Sequence, residues 1–211
     1  MKYGIRQITR DVRVTLDENR ESRQLIEIGD RETLGLDELI ASKVETAAGF
    51  VVLESPLSMM SGGYPLDGDI YWERGNSGRM LLPDDYLRLL VFKMSDWERA
   101  VHEAIGAESA EYRLQSSRCK GLRGNVQKPV VAVVRRGEGL ELEFYSCLSD
   151  EAEIEQGAYM RVPRIDGEGN IEIPERCYKA VVEKAAALVY ESIGELQRGQ
   201  SKEEAGKGAL I

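Results

Sequence analysis

The chain has 211 residues, 42% of them hydrophobic and 31% charged, enough to bury a core in one domain or in two small subdomains. No run reaches the roughly eighteen apolar residues of a membrane-spanning helix, and Met1 to Asp11 lacks the apolar core of a secretory signal. The formal charge of −9 argues against broad nonspecific nucleic-acid binding while leaving room for a local basic patch, and Cys119, Cys147 and Cys177, odd in number and widely spaced, read as free thiols of a reducing compartment.

Ile8, Val12 and Leu16 at four-residue steps predict a short helix from Thr9 or Asp11 to about Asn19, with Thr9 as a candidate cap. The polar run Asp17 to Gln24, a solvated face, leads to Leu25, Ile26 and Ile28 in a strand or loop, and Asp30 to Gly35 breaks the pattern. From Leu36 to Ser55, Leu39, Ile40, Val44, Ala47, Ala48, Val51 and Val52 recur mostly at three- and four-residue steps, which gathers them into the stripe of an amphipathic helix. Such a helix is about 30 Å long. It needs other elements against its stripe, Gly49 marks a close backbone approach within it, and Pro56 ends it.

Residues 57–79 are punctuated by Gly62, Gly63, Pro65, Gly68, Gly75 and Gly78 and read as a long irregular loop with a short strand at Ile70 to Trp72. Met59, Met60, Tyr64 and Trp72 either pack on helix ends or dock on a neighbour. Met80 to Leu82 is extended. Pro83, Asp84 and Asp85 then have the makings of a helix start, and a short buried helix is predicted through Leu90, followed by extended residues 91–94 and 97–101. Residues 103–110 read as a loop or one helical turn.

From Arg113 to Arg136 the balance reverses: Arg113, Arg118, Lys120, Arg123, Lys128, Arg135 and Arg136 occur with no acid between them. The rest of the chain then carries 21 basic against 37 acidic residues, or −16. The segment is a solvated loop, a DNA phosphate contact or a surface that pairs with an acidic face of a protein neighbour, and the surrounding acid favours the last of these. Pro129 to Val134 and Leu140 to Cys147 predict an antiparallel hairpin, with Leu140, Leu142 and Phe144 on one face and Glu141, Glu143 and Tyr145 on the other. Glu155 to Val162 and Asn170 to Ile173 predict a second. A last helix opens at Pro174 and runs to Ile193, its Ala185, Ala186 and Ala187 allowing close approach by the Leu36 to Ser55 helix, and the polar tail beyond it reads as frayed.

Catalytic signals are sparse. His102 is the sole histidine, no nucleophile elbow or phosphate loop is present, and Gly121 to Gly124 is a weak cradle. Asp67, Asp69 and Glu73 lack the spacing of a calcium loop and read as turn acids, as do Asp84, Asp85 and the run Asp150, Glu151, Glu153 and Glu155. The expectation is a protein with no catalytic residues, no cofactor and no metal.

The blocks DENRESRQLI (Asp17 to Ile26), LGLDELIASKVETAA (Leu34 to Ala48), LLPDDYLRLLVFKMSDWERAV (Leu81 to Val101), KGLRGNVQKPV (Lys120 to Val130), LEFYSC (Leu142 to Cys147) and IPERCYKAVVEKAAALV (Ile173 to Val189) together resemble the head-to-tail connector, or portal adaptor, subunits of tailed bacteriophages. The resemblance implies a mainly helical α+β fold: an adaptor-like helical bundle with a small antiparallel β element and flexible arms. It would be one connector domain over residues 1–194, with the loop 57–79 and the hairpins 129–173 inserted, and a flexible arm over 195–211. It also implies a homo-oligomeric ring, a dodecamer in that family, at the head-tail interface of the virion, assembled in the host cytoplasm. Its partners would be the portal and tail proteins, with double-stranded DNA in transit and no membrane. On that reading Asp84, Asp85, Asp150, Glu151, Glu153 and Glu155 are candidate channel-lining acids, since an acidic lumen repels the phosphate backbone, and the seven basic residues are candidate subunit or DNA contacts. The alternatives are a tail-completion or other virion protein, and a nucleic-acid-binding accessory protein using residues 113–136.

Overall fold

Two clusters of buried apolar side chains organise the chain, one gathered mostly by helices and one by strands. The computed structural model describes residues 1–16, 35–73, 76–117, 119–137 and 139–211. The run Asp17 to Gln24, the residues Leu25, Ile26 and Ile28, the break at Asp30 to Leu34, and Arg118 lie outside them. In chain order the elements are β1 (Lys2–Gly4), α1 (Ile5–Thr15), α2 (Leu36–Glu54), β2 (Tyr64–Pro65), β3 (Tyr71–Glu73), β4 (Ser77–Leu81), β5 (Tyr86–Met94), β6 (Ile105–Gly106), α3 (Ala110–Gln115), β7 (Val131–Arg136), β8 (Gly139–Phe144), β9 (Ile154–Arg161), β10 (Asn170–Glu172), α4 (Tyr178–Ser192) and α5 (Leu196–Gly208). They divide into two compact units, Met1–Gly62 with Val162–Ile211, and Gly63–Arg161.

In the first unit α1 and α2 pack on α4, and α5 lies along α4. Ile8 and Val12 of α1, Ile40, Val44, Ala47, Ala48 and Val51 of α2, and Ala180, Val181, Ala185 and Val189 of α4 are buried together, as their helical spacing requires. The α2 start is stabilised by the Glu38 carboxylate, which accepts the Gly35 amide at 3.1 Å, and by Asp37 and Glu38 in the positively polarised first turn. It stops at Ser55, held extended before Pro56. Gly49 differs from expectation: a Cβ there would meet nothing within 4 Å, so no close approach requires it. The close approach belongs to α5, where a Cβ on Gly199 would lie 3.3 Å from the Ala187 carbonyl oxygen and one on Gly206 3.5 Å from that of Ala180. Ion pairs Lys184 to Glu203 at 2.9 Å and Lys202 to Glu183 at 3.8 Å flank that seam. The tail read as a frayed arm is therefore helical over most of its length.

The second unit holds two sheets, β2-β9-β5 and β3-β4-β8-β7-β6, antiparallel throughout except for β6 on β7. Its core gathers Phe92, Phe144, Trp97, Met80, Met94 and Leu142, with the Phe144 ring 5.5 Å from both Trp72 and Phe92. Strands thus supply a full second core, and with sheets of two, three and five strands among the described residues the chain is α+β but not mainly helical. Two misread segments account for much of the difference. Pro83 to Leu90 is a turn and a strand: the Tyr86 amide donates to the Pro83 carbonyl at 2.9 Å, and β5 then pairs with β9 along its length. Register shifts at Tyr86/Arg88 and Leu89/Val91 break the two-residue alternation, so buried Leu89 and Phe92 stand three apart and imitate helical spacing. The second expected hairpin does not form either. β9 pairs with β2 and β5 and β10 pairs with β1; the bridge Ile165 to Ile171 and the tight turn at Asp166 to Asn170 lie beyond the end of β9, where Pro163 lacks the amide that a continued ladder needs. The first helix is also shifted, beginning at Ile5 with Thr9 in its interior.

Two glycine substitutions should move stability in opposite directions. Gly49→Ala is expected to raise the unfolding free energy by about 1 kcal/mol. Gly157→Ala, whose Cβ would fall 2.1 Å from the Leu66 carbonyl oxygen, is expected to lower it by about 1–3 kcal/mol, both read from urea unfolding. A second expectation concerns alkali. Tyr86 and Tyr159 stack at 5.8 Å; burial pushes Tyr86 up to about 12, and burial, then the hydrogen bond that Tyr159 donates to Asp85 at 2.9 Å, pushes Tyr159 up to about 12. Both ionise near 10 once unfolded, so this stabilisation is intact below pH 10 and is lost as pH climbs from 10 to 12. Melting temperature should fall across that window, and less steeply in Tyr159→Phe.

Candidate functional site

The basic segment forms one wall of a concave surface in the second unit. α3 starts where the Ser109 hydroxyl oxygen accepts the Tyr112 amide at 3.1 Å, which satisfies one of the unpaired amides of the first turn. Buried Gln115 then ties helix to loop: its side-chain nitrogen donates to the Glu111 carbonyl and its oxygen accepts the Gly124 amide, each at 2.9 Å. The loop closes through Asn125, whose side-chain oxygen accepts the amides of Gln127 and Lys128 at 3.0 Å while its backbone exchanges hydrogen bonds with Lys128 at 3.1 and 2.9 Å. Gly124 is obligatory, since a Cβ there would sit 2.5 Å from Ser146 Oγ and 3.0 Å from Val130 Cγ2. Between helix and loop lies an open cleft of about 500 Å³ whose lining includes Glu111, Leu114, Gln115, Leu122, Arg123 and Lys128.

The seven expected basic contacts separate into distinct roles. Lys128 is exposed and Arg123 half-buried in the cleft, and Arg113 and Arg135 are exposed nearby in sequence; none of the four has an ion-pair partner among the described residues. Lys120 opens the short turn Lys120–Leu122 of the cleft loop, and Arg118 lies outside the described residues. Arg136 is committed elsewhere: it donates to Glu143 and lies 3.7 Å from Glu141.

Glu143 explains that commitment. It lies on the face opposite Leu142 and Phe144, yet it is only 6% exposed, and it accepts hydrogen bonds from Arg136, from Tyr145 and, at 3.0 Å, from Tyr112. Three donors converge on one carboxylate, which is what a buried charge requires. Through Tyr112 the carboxylate anchors α3, and hence one wall of the cleft, to β8. Burial, followed by the hydrogen bond to Glu143, lifts the Tyr145 phenol far above its ordinary value, and Glu143 holds the Arg136 guanidinium above its own. The charges continue outward along the sheet, from Arg79 to Glu141 at 3.2 Å and to Glu73 at 3.4 Å. Where β8 ends, Ser146 adopts φ 129°, and its buried hydroxyl has no hydrogen-bond partner among the described residues.

The expected channel acids also divide. Asp150, Glu151 and Glu153 are exposed, with no ion-pair partner among the described residues, on a segment held firmly. Asn76 donates to the Leu148 carbonyl at 2.5 Å, the Ser95 amide donates to the Glu153 carbonyl at 2.8 Å, and Ala152 is buried. Glu155 pairs with Lys93 at 2.8 Å, Asp85 accepts from Tyr159, and Asp84 is exposed on the turn before β5. His102 donates its Nδ1 hydrogen to the Leu90 carbonyl at 2.8 Å, Glu73 pairs with Arg79, and Asp67 and Asp69 are exposed. All three cysteines are free; burial, then Asp96, pushes the Cys147 thiol up to about 12.

No protein-family model matches the chain, and no curated protein is a match for it. The sequence reading missed Gln115, Asn125 and Glu143 as organisers of the site. For Glu143 a signal existed in Tyr145 two residues on, at the spacing that puts two side chains on one face of an extended segment. For Gln115 and Asn125 there was none, because their side-chain bonds go to backbone groups, which carry no residue-specific signal. Glu143→Leu should leave the two tyrosine hydroxyls and Arg136 without their acceptor and lower stability by about 1–3 kcal/mol. Glu143→Gln, which keeps an acceptor oxygen, should cost less, and urea unfolding of the pair checks the order.

Proposed function

We propose that this chain is a noncatalytic subunit of a ring that joins a bacteriophage capsid portal to its tail and surrounds the path by which DNA leaves. The observation that carries the reading is the separation of unpaired charge within one molecule. Arg123 and Lys128 in the cleft, with Arg113 and Arg135 near them in sequence, have no ionic partner among the described residues, while Asp150, Glu151 and Glu153 are likewise unanswered. Such surfaces are at their lowest free energy when copies meet, and contacts between unlike patches close into rings or extend as filaments. The resemblance of the sequence blocks to connector subunits supplies the setting, and with it the portal and tail proteins as partners and the head-tail interface as location. α1, α2, α4 and α5 are the rigid rods of the subunit, and the strand-rich unit presents the charged contact surfaces. An acidic balance of −16 outside the basic segment suits a wall along which DNA slides without adhering.

Light scattering and native mass spectrometry of the purified chain test this. The expected result is a closed assembly of about twelve copies, the stoichiometry of connector rings, whose mass falls toward that of one chain as salt rises from about 0.1 to 1 M, because exposed ion pairs are screened. A single chain at every concentration and salt would overturn the reading.

A further inference from the structure

We propose that the cleft between α3 and the loop 119–130 takes the acidic segment 148–153 of a second copy of this chain. The inference rests on the ring reading for its setting and deepens it by assigning the contact. The two surfaces match in charge: Arg123 and Lys128 in the cleft face no carboxylate within ion-pair distance among the described residues, and Asp150, Glu151 and Glu153 face no cation. They match in apolar content as well. Leu122 is 54% and Leu114 39% exposed at the cleft, and Leu148, beside the acids, is 68% exposed. Neither leucine surface is fully covered in the single chain; the cleft leucines stand beside Arg123 and Lys128, and Leu148 stands beside the acids.

Both surfaces are also held in place before they meet, which lowers the entropy that association must overcome. Gln115 and Asn125 fix the cleft loop, and Asn76, Ser95 and buried Ala152 fix the acidic segment. A cleft of about 500 Å³ has room for a leucine and its neighbouring carboxylate. The surroundings favour protein over nucleic acid: Glu111 stands in the cleft wall, and a phosphate backbone would have to pass a molecule carrying −16 outside the basic segment.

Charge reversal with rescue tests the pairing. One variant carries Arg123→Glu and Lys128→Glu; the other carries Asp150→Lys, Glu151→Lys and Glu153→Lys. Circular dichroism and urea unfolding confirm that each retains the wild-type fold, and light scattering reads the mass. Each variant alone should lose assembly at protein concentrations at least tenfold above those at which the wild type assembles, and an equimolar mixture should restore it, because reversed cleft then meets reversed segment. If the wild type assembles and either variant assembles equally well, or the mixture fails to recover, the assigned contact is overturned while the ring reading stands. If the wild type forms only pairs and the mixture rescues pairing, the contact stands and the ring is overturned. A wild type that stays single overturns both. Tight binding of a DNA duplex, followed by fluorescence anisotropy and abolished in the cleft variant, would assign the cleft to nucleic acid and overturn the pairing.

Discussion

A carboxylate buried on a β-sheet must be answered by donors, and the strand-rich unit is arranged around the answer to Glu143. Arg136 from the preceding strand, Tyr145 from just beyond the end of β8 and Tyr112 from α3 converge on it. The first two contacts are local to the β7–β8 hairpin. The third is not, because it fixes a short helix that has little burial of its own against the sheet. The helix side of the cleft depends on that fixation, since α3 supplies Glu111, Leu114 and Gln115 to the cleft and Gln115 in turn holds Gly124.

The two units use different physics to reach order. In the helical unit small side chains bring backbones together: alanines on α4, and Gly199 and Gly206 on α5, let helices meet closely, and ion pairs line the seam. In the strand-rich unit large aromatic rings fill the core, with Phe144 touching Trp72, Phe92 and Trp97. The charged face of that unit separates into cations already neutralised, such as Arg79 and Arg136, and cations left over, such as Arg123 and Lys128. The leftover cations and the leftover acids Asp150, Glu151 and Glu153 are the surfaces on which the proposed contact between copies rests.

Much of the helical unit was legible in the sequence because α2 and α4 bury residues at three- and four-residue steps, and the β7–β8 hairpin was legible because Leu140, Leu142 and Phe144 alternate with Glu141 and Glu143. β5 was not, since the register shift between Leu89 and Val91 gives buried Leu89 and Phe92 a helical separation, and Tyr86 to Leu90 is rich in leucine, which is at home in either structure. α5 was hidden for another reason: its buried positions within the helix are glycines, which carry no apolar signal. At the candidate site the cations could be counted from sequence, but not which of them is spent on Glu143. That distinction depends on a buried carboxylate, and alternation gives its face of the strand but not its burial.

The proposed contact between copies is open to chemical capture at its atoms. A zero-length carbodiimide joins a lysine amine to a carboxylate only when the two are in ion-pair contact, and mixing copies of ordinary and heavy-nitrogen isotope composition separates bonds between chains from bonds within one. Mass spectrometry of the digested assembly is predicted to find Lys128 joined to Asp150, Glu151 or Glu153, with peptides of mixed isotope composition. Lys128 joined to these acids only within single-isotope peptides, or joined to other carboxylates between chains, would contradict the account.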